Sequence, residues 1–217
     1  MEISISQAYS LGLLWADGYF LEKRNELRLE VTTEDFKDFQ SPLMSLGRLE
    51  IALRQRPNRQ HQTRATIRDK KLCMWLKTMD FLNKSLDSPT KILNFLDEKN
   101  KVAFLLGWSD GDGCFYANKK NKCYQFVMAG SFEQDWTALE GVLKKLEIKY
   151  KINKVESKNG NKSSGLRITG LYNLSKLISH LYSLEDERMG LSRKKEKAAI
   201  ISESFNKSKV KIRLNLI

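Results

Sequence analysis

Two stretches of the chain are apolar almost without interruption and then end on an acid and a glycine: "SLGLLWADGYF" from Ser10 to Phe20, and "FLLGWSDGDGCF" from Phe104 to Phe115. Neither alternates, so each predicts a buried helix closed by an Asp-Gly turn. After the first, "LRLEVTT" carries Leu27, Leu29 and Val31 at every second position, which predicts a half-buried strand returning from the charged hairpin tip "EKRNE". "EDFKDFQSPLMSLG" then takes helical spacing, and Pro42 inside it predicts a kink or a late start. Strand-like "RLEIALRQR" and "TRATIR" and helical "DKKLCMWLKTM" complete the series.

The second apolar run is followed by the same order of patterns: "CFYANKKNK", "YQFVMAGS", "EQDWTALEGVLKKLEI", "KYKINKVES", "LRIT" and "LYNLSKLISHLY". Gly12 pairs with Gly107, Asp17 with Asp112 and Gly18 with Gly113, each at an offset of 95. The expected fold class is therefore α+β, with two αββαββα lobes related by a pseudo-twofold axis. The expected division is a first lobe over 1–80, a linker over 81–101, and a second lobe over 102–217 closing on the basic helix "LSRKKEKAAIISESF". Neither the linker nor that last helix carries legible chemistry.

Composition narrows the partner. The 217 residues are 41% hydrophobic, enough for one large domain or two small ones. Net charge is +12, from 38 Lys plus Arg against 26 Asp plus Glu, and the basic residues are spread along the chain. A polyanion is the natural partner, and nucleic acid is the commonest. Cys73, Cys114 and Cys123 form no CxxC pair, so neither a disulfide framework nor a zinc module is expected, and the compartment is expected to be reducing. No apolar stretch approaches the roughly 20 residues of a membrane span.

On a helix, Gly12 and Ala16 are four apart, as are Gly107 and Gly111, so each apolar run carries a stripe of small residues. Two such stripes allow close backbone packing, which would bring Asp17 and Asp112 together. The glycine after each acid suits a left-handed helix end. A carboxylate there meets the negative end of the helix dipole, and two side by side repel as well. A divalent cation relieves both conflicts, because carboxylate and carbonyl oxygens are hard ligands suited to Mg2+. Paired acids on a basic protein point to metal-assisted phosphodiester hydrolysis, one acid serving each strand of a duplex. One Asp-Gly alone is more often a plain turn; the second copy in matching context reverses that reading. A calcium loop is excluded, since counting from Asp110 puts Asn121 where a bidentate Glu is required.

"SLGLLWADG" and "LLGWSDGDG" resemble the two signature motifs of single-chain LAGLIDADG homing endonucleases. The resemblance implies motif helices at the lobe interface and an antiparallel β-saddle over double-stranded DNA. It implies cleavage of both strands across the minor groove with two or more Mg2+ ions, Mn2+ substituting, and short 3′ overhangs. By motif position the catalytic and metal-binding acids are Asp17 and Asp112, with the carbonyls of Ala16 and Gly111 as further ligands. Trp15 departs from the consensus acid at its motif position, whereas Asp110 retains it.

The saddle also follows from alternation. With Leu27, Leu29 and Val31 inward, Arg28, Glu30 and Thr32 face outward, and Arg54, Arg56, Arg64 and Arg68 lie opposite Leu53, Ala65 and Ile67. Gln125 and Arg167 take such places in the second half, with Asn118, Lys120 and Lys122 around its hairpin. In a major groove Arg reads guanine and Asn or Gln reads adenine, while lysines meet phosphate. The resemblance also implies basic or polar residues near the metals at strand ends, for which Arg68 and Lys70 are the candidates. Trp75 and Trp136 are expected in the core on helical faces, and His61 and His180 have no catalytic partner.

The expected protein is a monomeric, intracellular, site-specific DNA endonuclease of a bacterial, phage-infected or organellar compartment. The alternatives are an RNA-splicing maturase that binds its host intron RNA, and a DNA binder that no longer cuts.

Overall fold

The computed structural model describes residues 2–214 other than 56, 58, 59, 158 and 185–188. The candidate DNA contact Arg56 lies outside the described residues. In the first half, α1 (Ile5–Asp17) leads into the hairpin β1 (Gly18–Leu21) and β2 (Glu26–Thr32), followed by α2 (Thr33–Met44), β3 (Leu49–Arg54), β4 (Gln62–Ile67) and α3 (Lys70–Thr78). A short helix α4 (Thr90–Phe95) precedes the second half. There α5 (Glu98–Asp112), β5 (Gly113–Asn118), β6 (Cys123–Ser131), α6 (Thr137–Lys145), β7 (Tyr150–Glu156), β8 (Lys162–Thr169) and α7 (Leu171–Leu181) repeat the series, and α8 (Ser192–Leu214) follows. The two antiparallel sheets have the same strand order, β1-β2-β4-β3 and β5-β6-β8-β7, so the α+β fold and its internal duplication are as the repeat predicts.

The motif helices form because their starts are capped and their bodies are buried. Ser4 and Gln7 make a reciprocal capping box at α1, and Asp97 accepts from the Asn100 amide at α5. Burial is continuous from Ala8 to Trp15 and from Val102 to Asp110. A helix apolar all round needs cover all round, and here each lies between the other and its own half's sheet. Small residues set the spacing. A Cβ on Gly12 would fall 2.0 Å from the Phe104 carbonyl oxygen, and one on Gly107 would fall 2.0 Å from that of Tyr9. Tyr9 and Phe104 are themselves equivalent by the repeat. One turn on, a Cβ on Gly111 would lie 2.2 Å from the Cβ of Ala16.

Several local expectations are corrected. Gly18 and Gly113 are extended (φ −73° and −86°), not left-handed. Glycine is needed there for space, since a Cβ would meet the carbonyl oxygens of Leu14 and Ser109 at 2.5 and 2.4 Å. Helix α2 does not start late: it runs through Pro42, which sits in its last turn. Trp136 is the residue before α6 and not on a helical face, although it is buried as expected. Leu53 shares the inward face of the first sheet with Thr63, Ala65 and Ile67, yet it is 70% exposed, near the end of the edge strand β3. Among the described residues no helix is long and apolar enough to cross a membrane.

Candidate active site and nucleic-acid interface

Close packing of α1 on α5 puts the ends of both helices, with Asp17 and Asp112, at one place. The Asp17 Oδ2 lies 3.1 Å from where a Cβ on Gly111 would sit, so this carboxylate reaches over the last turn of the other motif helix. Burial raises the pKa of Asp17 above its ordinary value, against the pull of Lys84 and Lys194. Burial and the Asp17 charge push Asp112 from 3.8 up to about 6. The Trp108 indole donates to Asp112 Oδ2 at 3.2 Å, and its ring stacks on Trp136 at 6.3 Å. Beside Asp112 opens a cavity of about 310 Å3, lined by Trp15, Ala16, Lys84, Trp108, Asp112 and Gln134 among others.

The helix C-termini leave carbonyls that a lysine satisfies at each end. Lys84, just after the first half, donates to the carbonyls of Trp15 and Ala16 at 2.7 and 2.5 Å. Lys194, in the first turn of α8, donates to those of Ser109 and Asp110 at 2.8 and 2.6 Å. Burial lowers the pKa of both lysines, and Asp112 and Asp17 counter that at Lys84 while Asp110 counters it at Lys194. Sequence reading found no chemistry in the linker or the last helix, and these are the residues it missed. Periodicity is blind to them, because each acts alone across a long stretch of chain.

The motif position where Trp15 and Asp110 differ is explained by its partners. Asp110 is buried and accepts from the Tyr9 hydroxyl at 2.7 Å and from the Leu191 amide at 2.9 Å. The equivalent pair in the other direction is Trp15 against Phe104, ring on ring at 6.4 Å, with Phe81 at 6.1 Å. A hydroxyl–carboxylate pair between the two helices is thus matched by an aromatic pair at the place equivalent by the repeat. Asp110 serves the start of α8, whose Ser192 amide is taken by Asp38 Oδ2 at 2.8 Å, while Arg193 pairs with Asp35 at 2.9 Å. Helix α8 therefore fastens the second half to α2 of the first.

The outward face of the first sheet carries the expected arginines. Arg28 lies across from Thr66, and Glu30 from Arg64, which faces Ala52 in turn. These arginines are not free. Glu26, with 4% of its side chain exposed, holds Arg28 at 2.6 Å and Arg68 at 2.8 Å, and Arg68 also meets Glu50. Glu30 holds Arg64, its Oε1 accepting from Nε at 2.5 Å, and lies 3.4 Å from Arg54. The arginines hold Glu26 below the usual carboxylate range. The Thr32 hydroxyl is occupied as the cap of α2, accepting from the Asp35 amide at 3.1 Å. On the second sheet, Tyr116, Gln125 and Thr169 lie in one row, and Val127, Arg167 and Lys151 in another. Asn118 caps the β5–β6 turn at the Asn121 amide, 3.1 Å away, with Lys120 and Lys122 exposed beside it. The cations that act on both carboxylates are Lys84 and Lys194; Arg68 is held by its glutamates, and Lys70 is exposed at the start of α3.

The carboxylates fit a divalent cation. Among the described residues no three His, Cys, Asp or Glu side chains gather for one ion. Mg2+ is commonly held by one or two carboxylates completed by water and substrate phosphates, and that is the donor set available here.

Residues 99–182 match the family model of a LAGLIDADG-like domain. No curated protein sequence matches. Among solved structures, the chain is similar to the LAGLIDADG homing endonuclease I-GzeII in complex with its DNA target, with 13% identity over 98% of this chain and 93% of that one, and a TM-score of 0.61. It is similar to I-DmoI in complex with DNA and Ca, with 17% identity over 90% and 96% and a TM-score of 0.53. It is also similar to full-length DUF199/WhiA from Thermatoga maritima, with 16% identity over 98% of this chain and 67% of that one, and a TM-score of 0.54. The likeness carried by the two motifs is borne out, and the fold is that of single-chain LAGLIDADG homing endonucleases.

Proposed function

We propose that this chain is a site-specific DNA endonuclease that hydrolyses both strands of a long duplex and leaves short 3′ overhangs. The observation that carries the reading is the meeting of Asp17 and Asp112, one from each copy of the motif, at the ends of two helices packed backbone to backbone. The solved structures of similar fold include I-DmoI and I-GzeII bound to target DNA, and I-DmoI was solved with Mn, with Ca and with Mg. The same partner and divalent ions are the natural ones for this chain.

Asp17 and Asp112 would hold the metal, with the carbonyls of Ala16 and Gly111 as further oxygen ligands. The chemistry that Mg2+, or Mn2+ in its place, would supply there is activation of water and stabilisation of the leaving oxygen. The two helices fix the spacing of the acids, so that each faces one strand across a narrow groove. Trp108 orients the Asp112 carboxylate through its indole N–H. The two sheets present their outward faces to the duplex. Arg28, Arg54, Arg64 and Arg68 read bases from the first, and Gln125, Arg167 and Asn118 from the second. Lys120 and Lys122 meet phosphate and confer affinity without sequence information.

On a target recovered from a DNA library, Asp17→Asn and Asp112→Asn are expected to abolish or severely reduce double-strand cleavage while largely preserving binding. A double variant that still cuts in Mg2+ would overturn the assignment. The second reading is a DNA binder that no longer cuts, and Lys84 favours it, because a lysine already balances the paired acids. Lack of cleavage by the unaltered protein on a tightly bound target would select that reading.

A further inference from the structure

Both motif helices end on carbonyls capped by a lysine, but the two lysines do not sit at equivalent places. By the repeat, Trp15 and Ala16 correspond to Asp110 and Gly111. Lys84 takes the carbonyls of Trp15 and Ala16, whereas Lys194 takes those of Ser109 and Asp110, one residue deeper. Lys84 therefore reaches the last carbonyl before an acid, and its charge attracts Asp112 and Asp17 together. It lines the cavity beside Asp112, and its segment is held in place from the second half. Gln134 donates to the carbonyl of Asp87 at 2.9 Å, and the Ser131 hydroxyl donates to that of Ser85. The Ala16 carbonyl is thus already taken by an ammonium group whose charge acts on both carboxylates.

We propose that Lys84 is a resident counter-cation of this site, holding the Ala16 carbonyl beside the two carboxylates until a divalent ion displaces it, and that it thereby sets the affinity for metal. The proposal rests on the reading of Asp17 and Asp112 as metal ligands. Lys84 is a positioning residue, and its role is in assembling the site before metal enters. Because Lys194 sits one residue deeper, displacement is confined to the Ala16 side, so the two halves differ in how they load.

Mn2+ titrated into the DNA-free protein, followed by loss of the free-ion EPR signal, tests this. Lys84→Met is expected to bind Mn2+ about tenfold more tightly, since a positive charge beside the ion has been removed, and Lys84→Arg, which keeps the charge, is expected to show no tightening. A lysine with a purely structural role would weaken both variants alike, and that result would overturn the proposal. The unaltered protein supplies a second measurement that needs no substitution. Acetylation of Lys84 by acetic anhydride, read by mass spectrometry against exposed Lys149, is expected to be slow without metal and several-fold faster with saturating Mn2+. Mn2+ binding with no change in Lys84 reactivity overturns the displacement alone. No Mn2+ binding at all overturns both the displacement and the metal-holding roles of Asp17 and Asp112.

Discussion

A carboxylate at the end of a helix faces unpaired carbonyls, and here a second carboxylate faces it in turn, so the paired acids work against the stability of the fold. For Asp112 the sign can be worked out. Its folded pKa is raised from 3.8 to about 6, so the folded protein holds this proton more tightly than the unfolded chain does. Stability then falls as pH rises between those two values, and above them the penalty is complete. Asp112→Asn is expected to be roughly 3 kcal/mol more stable than the unaltered protein at pH 7.5 without metal, the gain vanishing below about pH 4. Chemical denaturation across that pH range checks it. A variant less stable at pH 7.5 would show that the carboxylate is structural. Residue-scale chemistry was only partly legible in the sequence: the duplication exposed Asp17 and Asp112, and nothing local exposed Lys84 or Lys194. Trp15 looked like a defect in its motif until its partner Phe104 could be set against Tyr9 and Asp110.

Between elements, the contact of α1 with α5 sets the geometry. Gly12 and Gly107 each lie against a backbone carbonyl of the other helix, and backbone cannot move aside as a flexible side chain can. Gly12→Ala is expected to cost about 3 kcal/mol or more, at the upper end of overpacking effects, and to separate the two acids so that cleavage falls as well. Urea unfolding and single-turnover cleavage measure the two effects, and a variant of unchanged stability would mean that the helices are not packed this closely. The order of elements was legible because hydrophobic period and duplication agree in both halves. Backbone detail was not. Asp-Gly suggested a left-handed turn, whereas the glycines answer to crowding by Leu14 and Ser109. Leu53 is exposed on an edge strand, and alternation does not encode which strand lies at the edge. Fastening of α8 through Asp35, Asp38 and Asp110 joins residues 81 to 158 positions apart, beyond the reach of any local pattern.

Across the whole molecule, a net charge of +12 is distributed in two different ways. The first sheet sets its arginines among glutamates, which hold the guanidinium groups in fixed directions and temper their pull on phosphate. The second sheet mixes Tyr116, Gln125, Arg167 and Lys151, with lysines at its hairpin, so the two halves are expected to read their half-sites by different chemistry. Counterion release should still dominate affinity: binding to the target is expected to weaken at least about a hundredfold between 50 and 200 mM salt. Affinity flat over that range would contradict a basic DNA-binding saddle. The central claim is that the duplicated acids form one centre that cuts both strands. Selection of cleaved sites from a randomised double-stranded DNA library in Mg2+ tests it most directly. The unaltered protein should enrich one long site broken on both strands with short 3′ overhangs, and the Asp17→Asn, Asp112→Asn double variant should enrich none. Equal enrichment by the double variant, or none by either protein on a site that both bind, would contradict it.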